Sequence, residues 1–407
     1  MKHTFKTSDT VFTTWFSEWN ANTYRRTDPF SEKPCACYAG STAGAPVLVC
    51  DNLLVGLTEE CCDAVFEWDG AQLIVEVPES LLFVSTAVDE LERWMQYQNA
   101  LGLEFRDAPF GLLPEYCTWV EQNWLSSNNA AQTVQAALSE PMLNSYLDTI
   151  RSSGWKPGRF TIDEGWCSRA GEGGFGDWIP RSDLNMASLA EKIKSAGHVP
   201  GLWMAPALIA GDSKAALQNP ALVGSPVQMN GECDWNRYFY IAASDASQAL
   251  ITDLFRRAFD WGFRKFKLDI FYGPKPDMRK ISEQCRIAAD ALPEKVELEG
   301  HIPDPFCAQH MDVIRINDLL VSERHPGWRD VCEGHLAVCR NSAPGMILNL
   351  DHIGGNCTDV DEENFIEHLN MLKPHFDVGY PCLSLLPQHI GDKAVRAVSE
   401  VLSPEEM

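Results

Sequence analysis

The sequence predicts an α/β protein, a (β/α)8 TIM barrel preceded by a small β-rich N-terminal domain. Three observations carry that expectation. From Tyr116 onward, short apolar runs of strand length alternate with helical stretches, eight times over. The polar exceptions in those runs sit near their C-terminal ends, the end at which barrel sites are built. Before residue 110 the texture differs: β-branched runs are broken by Gly, Asp and Pro.

In the N-terminal part, "APVLVCDNLLVGL" (45–57) and "AQLIVEVPESLLFVSTAV" (71–88) read as strands, and "DELERWMQYQNALG" (89–102) reads as a helix with a Gly stop. The division places this domain at 1–110 and the barrel at 111–407. The eight barrel strands are expected at 116–120, 159–163, 199–206, 265–271, 295–300, 313–318, 345–351 and 381–386. Buried parallel strands should be nearly continuous apolar runs, and these are. The clearer helical stretches are 143–154, 186–197, 246–262, 278–292, 328–343, 362–376 and 388–402. The helix after the fifth strand has room only to be short.

The 407 residues carry 33 basic and 57 acidic side chains, a formal charge of −24. Nucleic acid and anionic membrane both demand a basic patch, so neither is expected as a partner. A small neutral or cationic ligand suits the charge, and homo-oligomerisation is left open. No run of about 18 apolar residues is present, so no membrane span is expected. The opening "MKHTFKTSDTVFTTW" has no apolar stretch of signal-peptide length. The 14 cysteines are scattered, and Cys35, Cys37, Cys61 and Cys62 lack the paired spacing of a zinc site. Reduced, buried thiols in a cytoplasmic enzyme are the expectation, with no cofactor and no metal. A metalloprotease helix, a phosphate-binding Gly-rich loop and a Gly-x-Ser-x-Gly elbow are all missing.

The chemistry is expected at the strand ends. In "KFKLDIF", Lys267 and Asp269 share a face, with Asp269 nearer the mouth. A lysine beside a carboxylate keeps it ionised, which suits a nucleophile. In "VIRIND", Asp318 ends a strand two places further round, three residues after Arg315. Two carboxylates across one mouth can flank a glycosidic bond. "TIDEGW" adds Asp163 and Glu164 as acceptors for sugar hydroxyls. Trp119, Trp166, Trp178 and Trp203 offer aromatic faces for a sugar ring. Glu299 and His301 follow in "ELEGHIPDPF", and His352 follows Asp351 in "LNLDHIGG".

Four segments together resemble the retaining α-galactosidase clan, glycoside hydrolase families 27 and 36. They are "CTWV" (117–120), "IDEGWCSRAGEGGFGDWIP" (162–180) with "GLWMAP" (201–206), "KFKLD" (265–269) and "RIND" (315–318). The resemblance spans roughly residues 112 to 390 and keeps the family's order. It implies a TIM-barrel hydrolase acting on an oligosaccharide or glycoside. It makes Asp269 the nucleophile and Asp318 the general acid/base. Lys267 and Arg315 would contact sugar hydroxyls and the nucleophile. Asp163 and Glu164 would bind the hydroxyls at positions 4 and 6, and Glu299 the one at position 2. Glu164 stands where the family usually has a second Asp, and the Arg315–Asp318 spacing is one residue shorter than usual. Asp304 and Asp312 are therefore the other acid/base candidates.

Two other readings fit the same strand ends. Asp269, Glu299 and Asp318 end three consecutive strands, as the metal triad of an enolase-like barrel does. A barrel that binds carbohydrate without turning it over is the second.

Overall fold

The computed structural model describes residues 1–6, 11–13, 47–50, 53–59, 65–68, 72–129, 133–227, 237–271, 273, 275–301, 304–316 and 318–403. Cys35, Cys37, Cys61 and Cys62 lie outside the described residues. Eight parallel strands close into a barrel: β1 (Glu115–Cys117), β2 (Arg159–Ile162), β3 (Val199–Met204), β4 (Lys265–Leu268), β5 (Glu297–Gly300), β6 (Val313–Arg315), β7 (Ile347–His352) and β8 (Gly379–Leu383). Each pairs with its sequence neighbours, and β8 closes on β1 through Cys382 opposite Glu115. Six of the eight strands end one to three residues before the apolar runs suggest, β5 ends at Gly300 as expected, and β7 runs one residue further, to His352. Residues such as Asp163, Asp269 and Asp318 therefore lie just beyond regular pairing, where side chains turn into the mouth.

The outer ring is α1 (Glu140–Ser152), α2 (Met186–Ser195), α3 (Asp245–Trp261), α4 (Lys275–Asp290), the single-turn α5 (Pro305–Ala308), α6 (Trp328–Ser342), α7 (Glu362–Leu372) and α8 (Asp392–Leu402). Side chains cap several of them: Ser139, Asn185, Ser244 and Asp361 each accept a first-turn backbone N–H. β1 ends at Cys117, and Trp119 opens a further helix, Trp119–Asn128, instead of continuing the strand. Close packing of β2 on β3 requires a glycine: a Cβ on Gly201 would come within 2.4 Å of Thr161 Oγ1.

Barrel interiors are usually filled by branched apolar side chains. Here one interior layer is polar. Lys265 Nζ pairs with Glu115 and with Glu299 Oε2 (2.8 Å). Asn349 Nδ2 donates to both carboxylates (2.7 and 2.8 Å), Thr161 Oγ1 donates to Glu115 (2.6 Å) and the Tyr380 hydroxyl donates to Glu299 (3.0 Å). Burial pushes Glu115 up, while Lys265 and Lys267 more than offset burial at Glu299 and bring it down to about 2. Below this layer Arg159 pairs with Glu297 (2.6 and 2.8 Å) and lies over the Tyr380 ring.

The N-terminal residues form two antiparallel sheets. One orders Lys2–Lys6, Gln72–Glu76 and Val65–Trp68; the other orders Val11–Thr13, Val47–Cys50, Leu53–Leu57 and Leu82–Ser85. The helix Glu90–Leu101 covers the second sheet, packing Trp94 and Tyr97 on Val47, Val49 and Leu54. Leu53, Val55 and Leu57 alternate to the other face and join the hydrophobic core of the barrel.

A three-stranded antiparallel sheet, ordered Leu208–Ala210, Tyr238–Ile241 and Val223–Pro226, interrupts the β3-to-α3 connection. The apolar pattern at the strand ends gives no sign of it.

Candidate active site

Asp269 follows β4 directly, and its backbone N–H still donates to Met204 of β3 (2.9 Å). The next residue, Ile270, has φ +61, a strained conformation for a β-branched side chain. That bend turns the Ile270 N–H onto Asp269 Oδ1 (2.8 Å). Trp203 Nε1 donates to Oδ2 (2.9 Å), and Arg315 Nη2 (3.5 Å) and His301 Nε2 (3.4 Å) lie beside Oδ1. Burial pushes the Asp269 carboxyl up, but Arg315, then His301 and Lys267, and the Trp203 N–H pull harder the other way. Its pKa lies well below the usual carboxylate range. Burial in turn lowers His301 to about 4, so at neutral pH the cations acting on Asp269 are Arg315 and Lys267. His301 Nε2 accepts the Phe271 N–H (3.3 Å).

Lys267 and Asp269 leave the same strand face, yet the direct partner of Lys267 is Asp163, at 2.8 Å. The lysine acts on Asp269 through space and on Asp163 by contact. Asp163 Oδ2 also takes the Cys117 thiol (3.1 Å), and Oδ1 takes the Glu164 N–H (2.8 Å). Glu164 is held by Arg169 on both carboxylate oxygens, Nη2 at 2.9 Å, and by Gln135 (3.3 Å). The two acids therefore enter the site tied to different cations.

Arg315, at the end of β6, gathers three carboxylates. Its Nη1 donates to Asp318 Oδ1 (2.7 Å) and Asp351 Oδ1 (3.0 Å), and its Nη2 faces Asp269. Asp318 and Asp269 thus both meet one guanidinium. Burial raises the Asp318 carboxyl, and the charges of Asp351 and Asp269 add to that against the opposing pull of Arg315. Environment has separated the two acids in the sense a nucleophile and a proton donor need. The other acid/base candidates lie elsewhere. Asp304 pairs with Arg279 (2.8 Å) and caps α5, and Asp312 pairs with Arg286 (3.1 Å) and accepts the Leu298 N–H (2.8 Å).

Several expected contacts are placed differently. Glu299 points down into the polar interior layer, away from Asp269 and Asp318, so the three do not form a metal triad. Asp318, Asp351 and His352 do lie within 4.8 Å of one another, a spacing a metal ion would accept. Arg315 already supplies a cation hydrogen-bonded to both carboxylates, and that donor set does not fit a second one. Trp166 is fully buried, its Nε1 donating to the Trp203 carbonyl (2.9 Å), and it stacks on Trp178. Trp178 stacks on Phe175 and tilts against Trp203. These two rings support Trp203 from behind, and Trp203 alone of them touches Asp269. Trp119 is half-buried on its helix.

Asp351 and Arg169 are site residues to which no role attaches in the sequence. Asp351 is visible there as a polar strand end, but its pairing with Arg315 comes from barrel closure. Arg169 sits in the Gly-rich stretch after β2, five residues from Glu164, and only the folded loop brings the two together.

The fold is a closed (β/α)8 barrel with a β-rich N-terminal part. Among solved structures it is similar to α-galactosidases. An α-galactosidase from Thermus thermophilus in complex with p-nitrophenyl α-D-galactopyranoside superposes with a TM-score of 0.71 at 20% identity, covering 99% of this chain and 88% of the other. The same enzyme in complex with stachyose gives 0.69 at 18%, covering 98% and 91%. A family 36 α-galactosidase from Geobacillus stearothermophilus in complex with raffinose gives 0.61 at 11%, covering 99% of this chain and 62% of that longer one. No protein-family model matches the sequence. Among the described residues, no helix is long and apolar enough to cross a membrane.

Proposed function

We propose that the protein is a retaining α-glycosidase, α-galactosidase-like, that removes terminal α-linked sugars from oligosaccharides or glycosides. The observation that carries this reading is the pair of carboxylates on one arginine, Asp269 held ionised and Asp318 raised. Asp269 attacks the anomeric carbon from the β face while Asp318 passes its proton to the departing oxygen. A β-linked glycosyl-Asp269 ester forms. Asp318, now a carboxylate, takes a proton from water; that water displaces Asp269, and the sugar leaves with its α configuration kept. The likeness to enzymes solved with an α-galactopyranoside, stachyose and raffinose supports an α-galactoside as substrate.

Around the pair, Lys267, Asp163, Arg315, His301 and Trp203 form the wall that the sugar meets. Glu164 takes part through Arg169. Trp166 and Trp178 set the Trp203 ring, Glu299 fixes the floor beneath Lys267, and Trp119 stands at the rim. Residues 1–110 act as a separate β-rich domain packed on the barrel of 111–407. Buried thiols such as Cys117, Cys167, Cys285 and Cys382 suit a reducing compartment, which supports a cytoplasmic location.

The test is a panel of nitrophenyl α- and β-glycosides, followed by NMR of the first-formed anomer. Turnover of an α-glycoside with α product is expected. Turnover confined to β-glycosides, an inverted first product, or binding without turnover each overturns the reading.

A further inference from the structure

Asp351 has no place in the two-acid mechanism, yet its geometry is costly. It is 1% exposed at the C-terminal end of β7, and its φ is +57. A non-glycine residue in the left-handed region is held there by its surroundings, and such strain gathers at functional sites. Its backbone N–H is tied back to Asn349 Oδ1 (3.0 Å). Its Oδ1 shares Arg315 Nη1 with Asp318, and its Oδ2 has no hydrogen-bond partner. An Asp318 oxygen and an Asp351 oxygen approach within 4.8 Å.

We propose that Asp351 is the positioning residue that keeps Asp318 protonated, the two carboxyls sharing one arginine N–H as an acid pair of which Asp351 is the ionised member. This rests on the glycosidase reading above and adds to it a named cause for the acid's proton.

The charges around the pair support the assignment. Asp318 is faced by Arg315 from its own strand, by Asp351 and His352 from β7 and by Asp269 from β4. His352 is buried and lowered to about 3, so it brings no charge at neutral pH. Arg315 and Lys267 then stand against four carboxylates, Asp163, Asp269, Asp318 and Asp351; Arg315 contacts the last three, and Lys267 contacts Asp163 and acts on Asp269 and Asp351 through space. Two surplus negative charges in a buried site are costly, and one carboxyl holding a proton relieves that cost. Asp269 is stabilised by Trp203 and the Ile270 N–H as well, so the proton belongs to the Asp318–Asp351 pair. Asp318 is the more exposed of the two, at 8% against 1%, and is the member placed to deliver a proton outward.

The test is a carboxyl titration by 13C NMR of Asp-labelled protein, with the Asp318 signal identified by its loss in Asp318→Asn. In Asp351→Asn the Asp318 midpoint is expected to fall by about one pH unit, a tenfold change. Asp351→Glu, which keeps the charge, should restore it. An Asp318 midpoint that stays put or rises in Asp351→Asn overturns the proposal. Should that variant fail to fold, the wild type still decides: the Asp318 signal must titrate above the ordinary aspartate midpoint of about 3.9, and a midpoint at or below it overturns the proposal. The titration needs no substrate, so its failure is separable from failure of the glycosidase reading, which the glycoside panel tests. On an active substrate, the basic limb of kcat/KM should move to lower pH in Asp351→Asn. kcat should fall more than KM changes, most for poor leaving groups.

Discussion

Arg315 is the residue on which the site turns, because one guanidinium contacts three carboxylates, Asp318, Asp351 and Asp269. Removing a carboxylate and removing the cation therefore have different consequences. Asp269→Asn should leave the fold intact and reduce kcat by roughly 10³-fold or more, read on the best aryl glycoside. Asp318→Asn should cost about 10²–10⁴-fold on substrates with poor leaving groups and far less on those that need no protonation. A steady-state series of aryl glycosides checks this by its slope against leaving-group pKa. Lys267→Met leaves the carboxylate of Asp163 buried without its cation. It should destabilise the protein by roughly 3–5 kcal/mol, measured by urea unfolding.

At the scale of elements, the barrel was largely legible because a buried parallel strand has to be an apolar run and an amphipathic helix has to repeat near 3.6 residues. β3, β4 and β7 show the first, and α2, α3, α6 and α7 the second. The failures have physical reasons. Trp119 reads as strand from the apolar "YCTWV", but Thr118 turns the chain into a helix at once. The sheet of Leu208–Ala210, Val223–Pro226 and Tyr238–Ile241 has strands of three or four residues, too short for any periodicity to show. Glu299 looks like a mouth residue by its strand-end position, whereas pairing with Lys265 and Asn349 draws it inward. Asp269 and Asp318 were legible as polar residues at strand ends; the spacing alone put Arg315 beside Asp318, and its reach to Asp269 was implied only by the family resemblance. One packing contact tests the N-terminal element. A Cβ on Gly56 would come within 2.5 Å of the Tyr97 ring, whose hydroxyl donates to the Leu57 carbonyl (2.6 Å). Gly56→Ala should loosen helix Glu90–Leu101 from its sheet at a cost of about 1–3 kcal/mol, seen as faster amide exchange there.

Across the whole molecule, buried histidines make stability depend on pH. His301 is lowered to about 4, and His352 and His368 to about 3, in each case chiefly by burial. An unfolded histidine titrates near 6.5, so between about pH 3 and 6.5 the unfolded chain binds more protons at these sites. Their contribution is fully present above about 6.5 and is lost as pH falls through the folded values. The raised carboxyls of Asp318, Asp351 and Glu115 run the opposite way, stabilising at low pH and losing that effect as pH rises. A single substitution separates the two sets. His368 Nδ1 accepts the Gly354 N–H (3.1 Å), and an Asn oxygen can take that place. In His368→Asn the slope of unfolding free energy against pH, measured from 4 to 6, should drop by about 1.4 kcal/mol per pH unit.

The retaining mechanism proposed for this barrel requires a covalent bond to form at one carboxylate. An activated fluoro-substituted α-glycosyl fluoride, incubated with the enzyme and followed by peptide mass spectrometry, reads that bond directly. A glycosyl adduct on the peptide carrying Asp269, absent in Asp269→Asn, is the predicted result. An adduct on a different residue, or turnover of the reagent with an inverted product and no adduct, would contradict it.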